Sequence, residues 1–224
     1  MKNIRRIAGA AVAATAALSL AACTGEEAAA PAADAQQSSS AMPSAMPSAG
    51  APAAAASDGM TTAADVYGPG CAQVPTEGEG SVGGMVDDPV ATAAGNNPLL
   101  TKLTAAVGAT NLGDTLNSQE AITVFAPADP AFDALGAKFN ELAAAPDQLA
   151  PILQYHVVGK RYDRDGLAQA GMVESLNTAG GPLKIEGSGE NMTVNGAKVL
   201  CGNVPTKNAT VFVLDTVLTP GTNS

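Results

Sequence analysis

Four places in this chain carry residue types able to do chemistry: Cys23, the pair Cys71 and Cys201, the single histidine His156 beside Tyr155, and the run Lys160-Arg161-Tyr162-Asp163-Arg164. A thiol at Cys23 is a nucleophile able to take an acyl or thioether group. Cys71 and Cys201 can oxidise to a disulfide. His156 is the one group whose ordinary pKa lets it exchange protons near neutrality, so any acid–base or metal chemistry would pass through it. Other catalytic equipment is missing from the sequence. No serine sits in a nucleophile elbow, and Gly187-Ser188-Gly189 lacks the third glycine of a dinucleotide fingerprint. One histidine and no CxxC pair make a metal site unexpected. Neither cofactor nor enzymatic activity is expected.

Each position depends on where the chain goes and what elements hold it. Lys2, Arg5 and Arg6 precede an apolar run from Ile7 to Leu20, and Ala21 and Ala22 precede Cys23. That order is a secretory signal, and the apolar run is shorter than the ~20 residues a membrane span needs. Leu20-Ala21-Ala22-Cys23 resembles the lipobox of bacterial lipoproteins, which implies that residues 1–22 are removed and that Cys23 carries lipid. Two acyl chains suffice for stable anchoring. The expected location is the outer face of the cell membrane, exposed to the extracellular side and in part released. The same signal sends Cys71 and Cys201 to an oxidising compartment, where a disulfide between them is expected over two separate buried thiols.

The formal charge is −10, and loss of Lys2, Arg5 and Arg6 with the signal takes it to −13. So acidic a surface repels phosphate backbones and anionic headgroups, which argues against nucleic acid and leaves membrane contact to the lipid on Cys23. Aromatic residues are 3% of the chain and tryptophan is absent, so no stacking platform for bases or sugars is visible.

Residues 23–68 are rich in Ala, Pro, Ser and Gly and include the repeat Ala41-Met42-Pro43-Ser44-Ala45-Met46-Pro47-Ser48. Too little bulky apolar surface is present to offset the entropy of ordering, so the segment reads as a disordered tether. Its Ser/Thr/Pro content also suits O-glycosylation. Residues 69–224 have the size of one domain. Asn97-Pro98 reads as an N-cap and first helical position, followed by Leu99, Leu100, Leu103, Ala106 and Val107 at helical spacing. Ile122 to Ala126 reads as a strand, Asp129-Pro130 as the cap of a helix burying Phe132 and Leu135, and Leu149, Ile152 and Leu153 as another helical face around Pro151. Short strands follow after Gly180, with Asn195-Gly196 a type I′ hairpin signal. Helices first and strands last, without βαβ alternation, define an α+β domain.

Three blocks carry a family resemblance. Thr123-Val124-Phe125-Ala126-Pro127-Ala128-Asp129-Pro130-Ala131-Phe132 and Val211-Phe212-Val213-Leu214-Asp215-Thr216-Val217-Leu218-Thr219-Pro220 resemble the two boxes of the fasciclin (FAS1) domain family, and Tyr155-His156-Val157-Val158 between them is similar to its Tyr-His element. The resemblance covers residues 85–220. It departs from the usual pattern at Ala128, where a polar residue is common, and at Phe212, where many members have histidine. Asp88-Pro89-Val90-Ala91-Thr92-Ala93-Ala94 and Cys201-Gly202-Asn203-Val204 further resemble the mycobacterial fasciclin-domain surface lipoprotein antigens. The resemblance implies a twisted β-wedge covered by short helices, acting in adhesion or surface recognition without a cofactor. Animal integrin-binding motifs built on Asp-Ile are not present in the sequence.

Both boxes read as packing elements, because apolar runs are usually core. Asp129 is expected to satisfy free helix amides, and Asp215 to bond backbone at the strand end. Tyr155-His156 is placed on a strand, with the histidine tying strand to loop. The expected adhesion face comprises Tyr155, His156, Lys160, Arg161 and Arg164, meeting a matrix protein or cell-wall glycan. The alternative is a carrier of a small apolar ligand, which requires an internal cavity above ~300 Å³. Asn191-Met192-Thr193 and Asn208-Ala209-Thr210 match the glycosylation sequon and receive no role. The sequence names neither the partner nor the oligomeric state.

Overall fold

The most apolar stretch of the first box becomes a central strand. In the computed structural model, which describes residues 59–221, β1 (Ile122–Pro127) is buried along its whole length. Cys23, the signal segment and the tether up to residue 58 lie outside the described residues. The second box supplies β7 (Ala209–Leu214), equally buried and parallel to β1, with Phe125 opposite Phe212 and Val124 opposite Val211. A parallel pair cannot be closed by a hairpin and needs a long crossover, here everything between the two boxes. The short β2 (Val157–Val158) flanks β1, and β6 (Ala197–Pro205) flanks β7, both antiparallel. Beyond β6 come β5 (Thr193–Val194), β4 (Leu183–Glu186) and β3 (Met172–Val173), giving the order β2-β1-β7-β6-β5-β4-β3. Asn195 and Gly196 join β5 to β6 with φ of 49° and 83°, as a type I′ turn requires.

Among the described residues, four short α-helices precede β1: α1 (Val82–Met85), α2 (Val90–Asn96), α3 (Thr101–Ala109) and α4 (Leu112–Ser118). Three more, α5 (Asp129–Leu135), α6 (Ala137–Ala143) and α7 (Pro146–Tyr155), fill the chain between β1 and β2, and α8 (Arg164–Ala170) precedes β3. Successive strand residues point to opposite faces, so the sheet feeds two cores. Val124, Ala126, Val211 and Val213 pack with Leu103, Phe132, Leu149 and Leu153 on one face. Phe125, Phe212 and Leu214 pack with Tyr155, Leu167 and Leu183 on the other. The Phe125 and Phe212 rings, 5.8 Å apart, cross at 42°, a pair contributing about 0.5–1.5 kcal/mol beyond burial. Phe212 thus belongs to the core of an α+β domain, as the class expected from the sequence implies.

Three expectations need correction. The helix expected to start at Asn97-Pro98 starts at Thr101, because Asn97 makes a turn of its own: its Oδ1 accepts from Leu99 N–H at 3.0 Å and its carbonyl from Leu100 N–H. Tyr155-His156 is not on a strand. Tyr155 ends α7, His156 is its C-cap, and only Val157–Val158 is extended. The boundary drawn at Gly68 also moves back, since residues 59–68 belong to the folded body: Thr210 donates to the Gly59 carbonyl at 2.9 Å, and Tyr67 exchanges two backbone hydrogen bonds with Gly202.

Candidate functional site

The Tyr-His element sits where α7, β1 and the exit from β7 meet. His156 is buried, and both ring nitrogens face backbone: Nδ1 is 2.8 Å from the Ile152 carbonyl, and Nε2 is 2.9 Å from the Leu218 N–H. An amide can only donate, so Nε2 is the acceptor and Nδ1 carries the proton. Burial holds the imidazole neutral, pushing its pKa from 6.5 down to about 4, with the Ile152 carbonyl opposing this. The His156 carbonyl accepts from Phe125 N–H at 2.8 Å, completing the junction. Such a ring has no nitrogen left for a substrate or a metal. Tyr155 is also buried, with its hydroxyl accepting from Asn195 Nδ2 at 2.9 Å. Gly180 lies against that ring, where a Cβ would come within 2.6 Å. Tyr155 therefore fixes the β5–β6 turn to the end of α7.

The loop after β2 is pinned by Thr123, whose hydroxyl donates to the Lys160 carbonyl and accepts from Tyr162 N–H, each at 2.8 Å. This pinning divides the basic run. Arg161 turns inward and is buried, donating from Nη1 to Met60 Sδ at 3.0 Å and from Nη2 to the Lys207 carbonyl at 3.3 Å. Lys160 stays exposed, its Nζ 4.9 Å from the centre of the Tyr162 ring. Arg164, half-buried, lies 5.2 Å from the Tyr67 ring and pairs with Asp165 at 3.0 Å. Burial pushes the Tyr67 hydroxyl up to about 12. The five-residue adhesion face is therefore not formed: Tyr155, His156 and Arg161 are interior, and of the five only Lys160 and Arg164 reach solvent. A basic run on a loop says nothing about which cation the loop's own hydrogen bonds turn inward.

Cys71 and Cys201, 130 positions apart in sequence, are joined, with Cα atoms 4.8 Å apart, as expected from the compartment. Among the described residues, no group of three or more His, Cys, Asp or Glu side chains is arranged to hold a metal. Nor is any described helix long and apolar enough to cross a membrane. The apolar pockets between the helices and the sheet are small, about 40 Å³ beside Leu103, Val107 and Val124, about 20 Å³ beside Met85, Ala93 and Val204, and about 170 Å³ beside Leu112, Leu153 and Leu176. The larger clefts, about 560 Å³ beside Asn117, Arg161 and Asn208 and about 340 Å³ beside Asp65, Tyr67 and Arg164, are more open and lined mainly by polar residues.

Two side chains hold partners that their local sequence does not reveal. Asp129 caps a neighbouring helix instead of its own, accepting from the Thr101 hydroxyl at 2.5 Å and from Lys102 N–H at 2.9 Å at the start of α3. Asn208, seen only as a sequon, receives the Val90 N–H on Oδ1 and donates from Nδ2 to the Leu116 and Gln119 carbonyls, each at 2.8 Å. No sequence signal marks a side chain that caps elements 89 to 118 positions away. Asp215 behaves as expected in kind, accepting from Lys198 N–H at 2.9 Å, across to β6.

A seven-stranded mixed sheet fed by two apolar boxes, with the single imidazole used as a backbone tie, defines an α+β scaffold. The fasciclin domain profile matches residues 98–220. The chain is 43% identical over 169 residues to cell surface glycolipoprotein MPB83 of Mycobacterium bovis, covering 70% of this chain and 74% of that one. It is 44% identical over 169 residues to immunogenic protein MPB70 of Mycobacterium bovis, covering 70% and 84%. Protein sll1483 of Synechocystis is 38% identical over 134 residues, covering 58% and 72%. The chain belongs to the fasciclin domain family.

Proposed function

We propose that this chain is a non-catalytic module of a bacterial cell surface, held to the membrane by lipid on Cys23 and binding a matrix protein or cell-wall glycan through exposed polar surface. The observation that carries the reading is the Tyr-His junction: the one residue equipped for proton transfer at neutral pH is buried with both nitrogens committed to backbone. A chain whose single imidazole is committed to backbone, in a family whose relatives include proteins named as cell surface and immunogenic, fits a recognition role. The carrier alternative has less support, because the apolar pockets, of about 20, 40 and 170 Å³, are below the ~300 Å³ a small-molecule pocket needs, and the clefts of about 340 and 560 Å³ are more open and lined mainly by polar residues.

Lys160 and Arg164, the two cations of the basic run that reach solvent, are the proposed contact residues beside Tyr162. Two experiments test the reading. Cys23→Ala should release the protein from the membrane fraction or leave it unprocessed, and an intact mass lacking acyl groups on the native protein would remove the anchor from the proposal. Pulldown against matrix proteins, cell-wall glycans and lipid extracts should recover a macromolecule whose binding weakens as salt rises. Lys160→Glu should then weaken capture while leaving thermal unfolding nearly unchanged, and adding Arg164→Glu should weaken capture further. Capture unaffected by the double reversal would exclude this face, and co-elution of a stoichiometric lipid would favour the carrier.

A further inference from the structure

Anything attached to the chain ahead of Gly59 must pull on the folded body through residues 59–71, and these residues do not leave the body from a loose end. They lie along the sheet as a strap with contacts on three elements in succession. Gly59 is held by Thr210 of β7, Met60 by Arg161 of the loop after β2, and Tyr67 by two backbone hydrogen bonds to Gly202 of β6 at 2.8 and 3.2 Å. The Gly202 bond fills a gap in the ladder. β5 pairs with β6 only at Ala197 and Lys198, so Tyr67 takes the backbone edge of β6 that β5 leaves open, where the β6–β7 register also shifts. Gly68 and Gly70 let the strap close onto Leu200, where a Cβ would come within 2.3 and 2.8 Å. The next contact is covalent, from Cys71 to Cys201.

We propose that this strap and its disulfide form a mechanical clamp that carries tension from the N-terminal attachment directly into β6 and keeps it away from the chain between the two cysteines. The physical reason is topological. Tension entering at Gly59 and crossing the Cys71–Cys201 bond reaches the sheet at a strand paired with β7, which is itself paired along six residues with β1. Without the bond, the same tension peels the strap and then reaches α1 and α2, four- and seven-residue helices that can be pulled out in sequence. With it, α1 to α8 lie within a closed covalent loop and bear no tension applied from that side. Relevance to the cell rests on the surface-anchored reading above, but the test needs neither lipid nor partner.

The test is single-molecule stretching of the full chain, gripped ahead of Gly59 and after Gly221, before and after treatment with a dithiol. The dithiol gives two electrons and two protons to the S–S bond, leaving two thiols and becoming a disulfide itself. At ~3.5 Å per residue, the oxidised body should lengthen by roughly 110 Å, because only the strap and the residues after Cys201 can extend, whereas the reduced body should lengthen by roughly 570 Å. The reduced body should also give way at a lower force. Cys71→Ala/Cys201→Ala should match the reduced protein, and should this variant fail to fold, mild reduction of the native protein decides alone. A long extension from oxidised protein, or equal unfolding forces before and after reduction, would overturn the clamp.

Discussion

The backbone N–H of Leu218 donates to Nε2 of His156 at 2.9 Å, so a residue just past the last strand is held by the ring that ends α7, 62 positions earlier. The same histidine reaches back to Ile152 through Nδ1 and receives Phe125 through its carbonyl. One side chain thereby joins the first box, the Tyr-His element and the second box. The order of the three blocks in the sequence becomes one contact in space.

That junction should make stability depend on acid. In the folded chain the imidazole titrates at about 4, against 6.5 when unfolded, so protonation favours the unfolded state. The stabilisation is complete above 6.5 and is lost as pH falls towards 4, a change of about 3 kcal/mol for a shift of this size. Denaturant melts at pH 7 and pH 5 should show it. His156→Ala should cost about 2–4 kcal/mol at pH 7 through the lost bonds and cavity, and its stability should change less between the two pH values. An unchanged pH dependence would separate the histidine from the acid response.

Asp129 should matter to a helix it does not belong to. Asp129→Ala removes the acceptor for the Thr101 hydroxyl and the Lys102 amide at the start of α3, and a lost cap of this kind costs about 1 kcal/mol. Amide exchange at Lys102 should rise more than exchange within α5. Faster exchange confined to α5 would reverse the assignment.

Asn208→Ala should destabilise by about 2–3 kcal/mol, since it leaves the Val90 amide and the Leu116 and Gln119 carbonyls without their side-chain partner. Equilibrium unfolding in urea measures it. Asn208→Asp keeps the acceptor for Val90 but loses both donated bonds, so it should rescue only part of the loss.

Gly202→Ala tests the strap without touching the disulfide. A Cβ there would fall within 2.6 Å of the Tyr67 ring, and such overpacking costs about 1–3 kcal/mol. Limited proteolysis should find new cleavage between Gly59 and Gly70 while β1 and β7 remain protected. Resistance equal to the native protein would mean that the ring finds another seat.

The two boxes were legible in the sequence because what they do is local in pattern: alternation in Val124-Phe125-Ala126 and the apolar run Val211 to Leu214 fix strands whatever surrounds them. Asn195-Gly196 was legible for the same reason, since a type I′ turn demands positive φ at both positions. The pairing of Cys71 with Cys201 followed from compartment and count. What only the tertiary structure decided is which partner each polar side chain finds. Asp129 turns to α3, Asn208 to two helix ends, Arg161 inward and Lys160 outward, and His156 to an amide beyond β7. Those choices are made by contacts between segments distant in sequence, and no local spacing encodes the distance between two elements that meet only when the sheet closes.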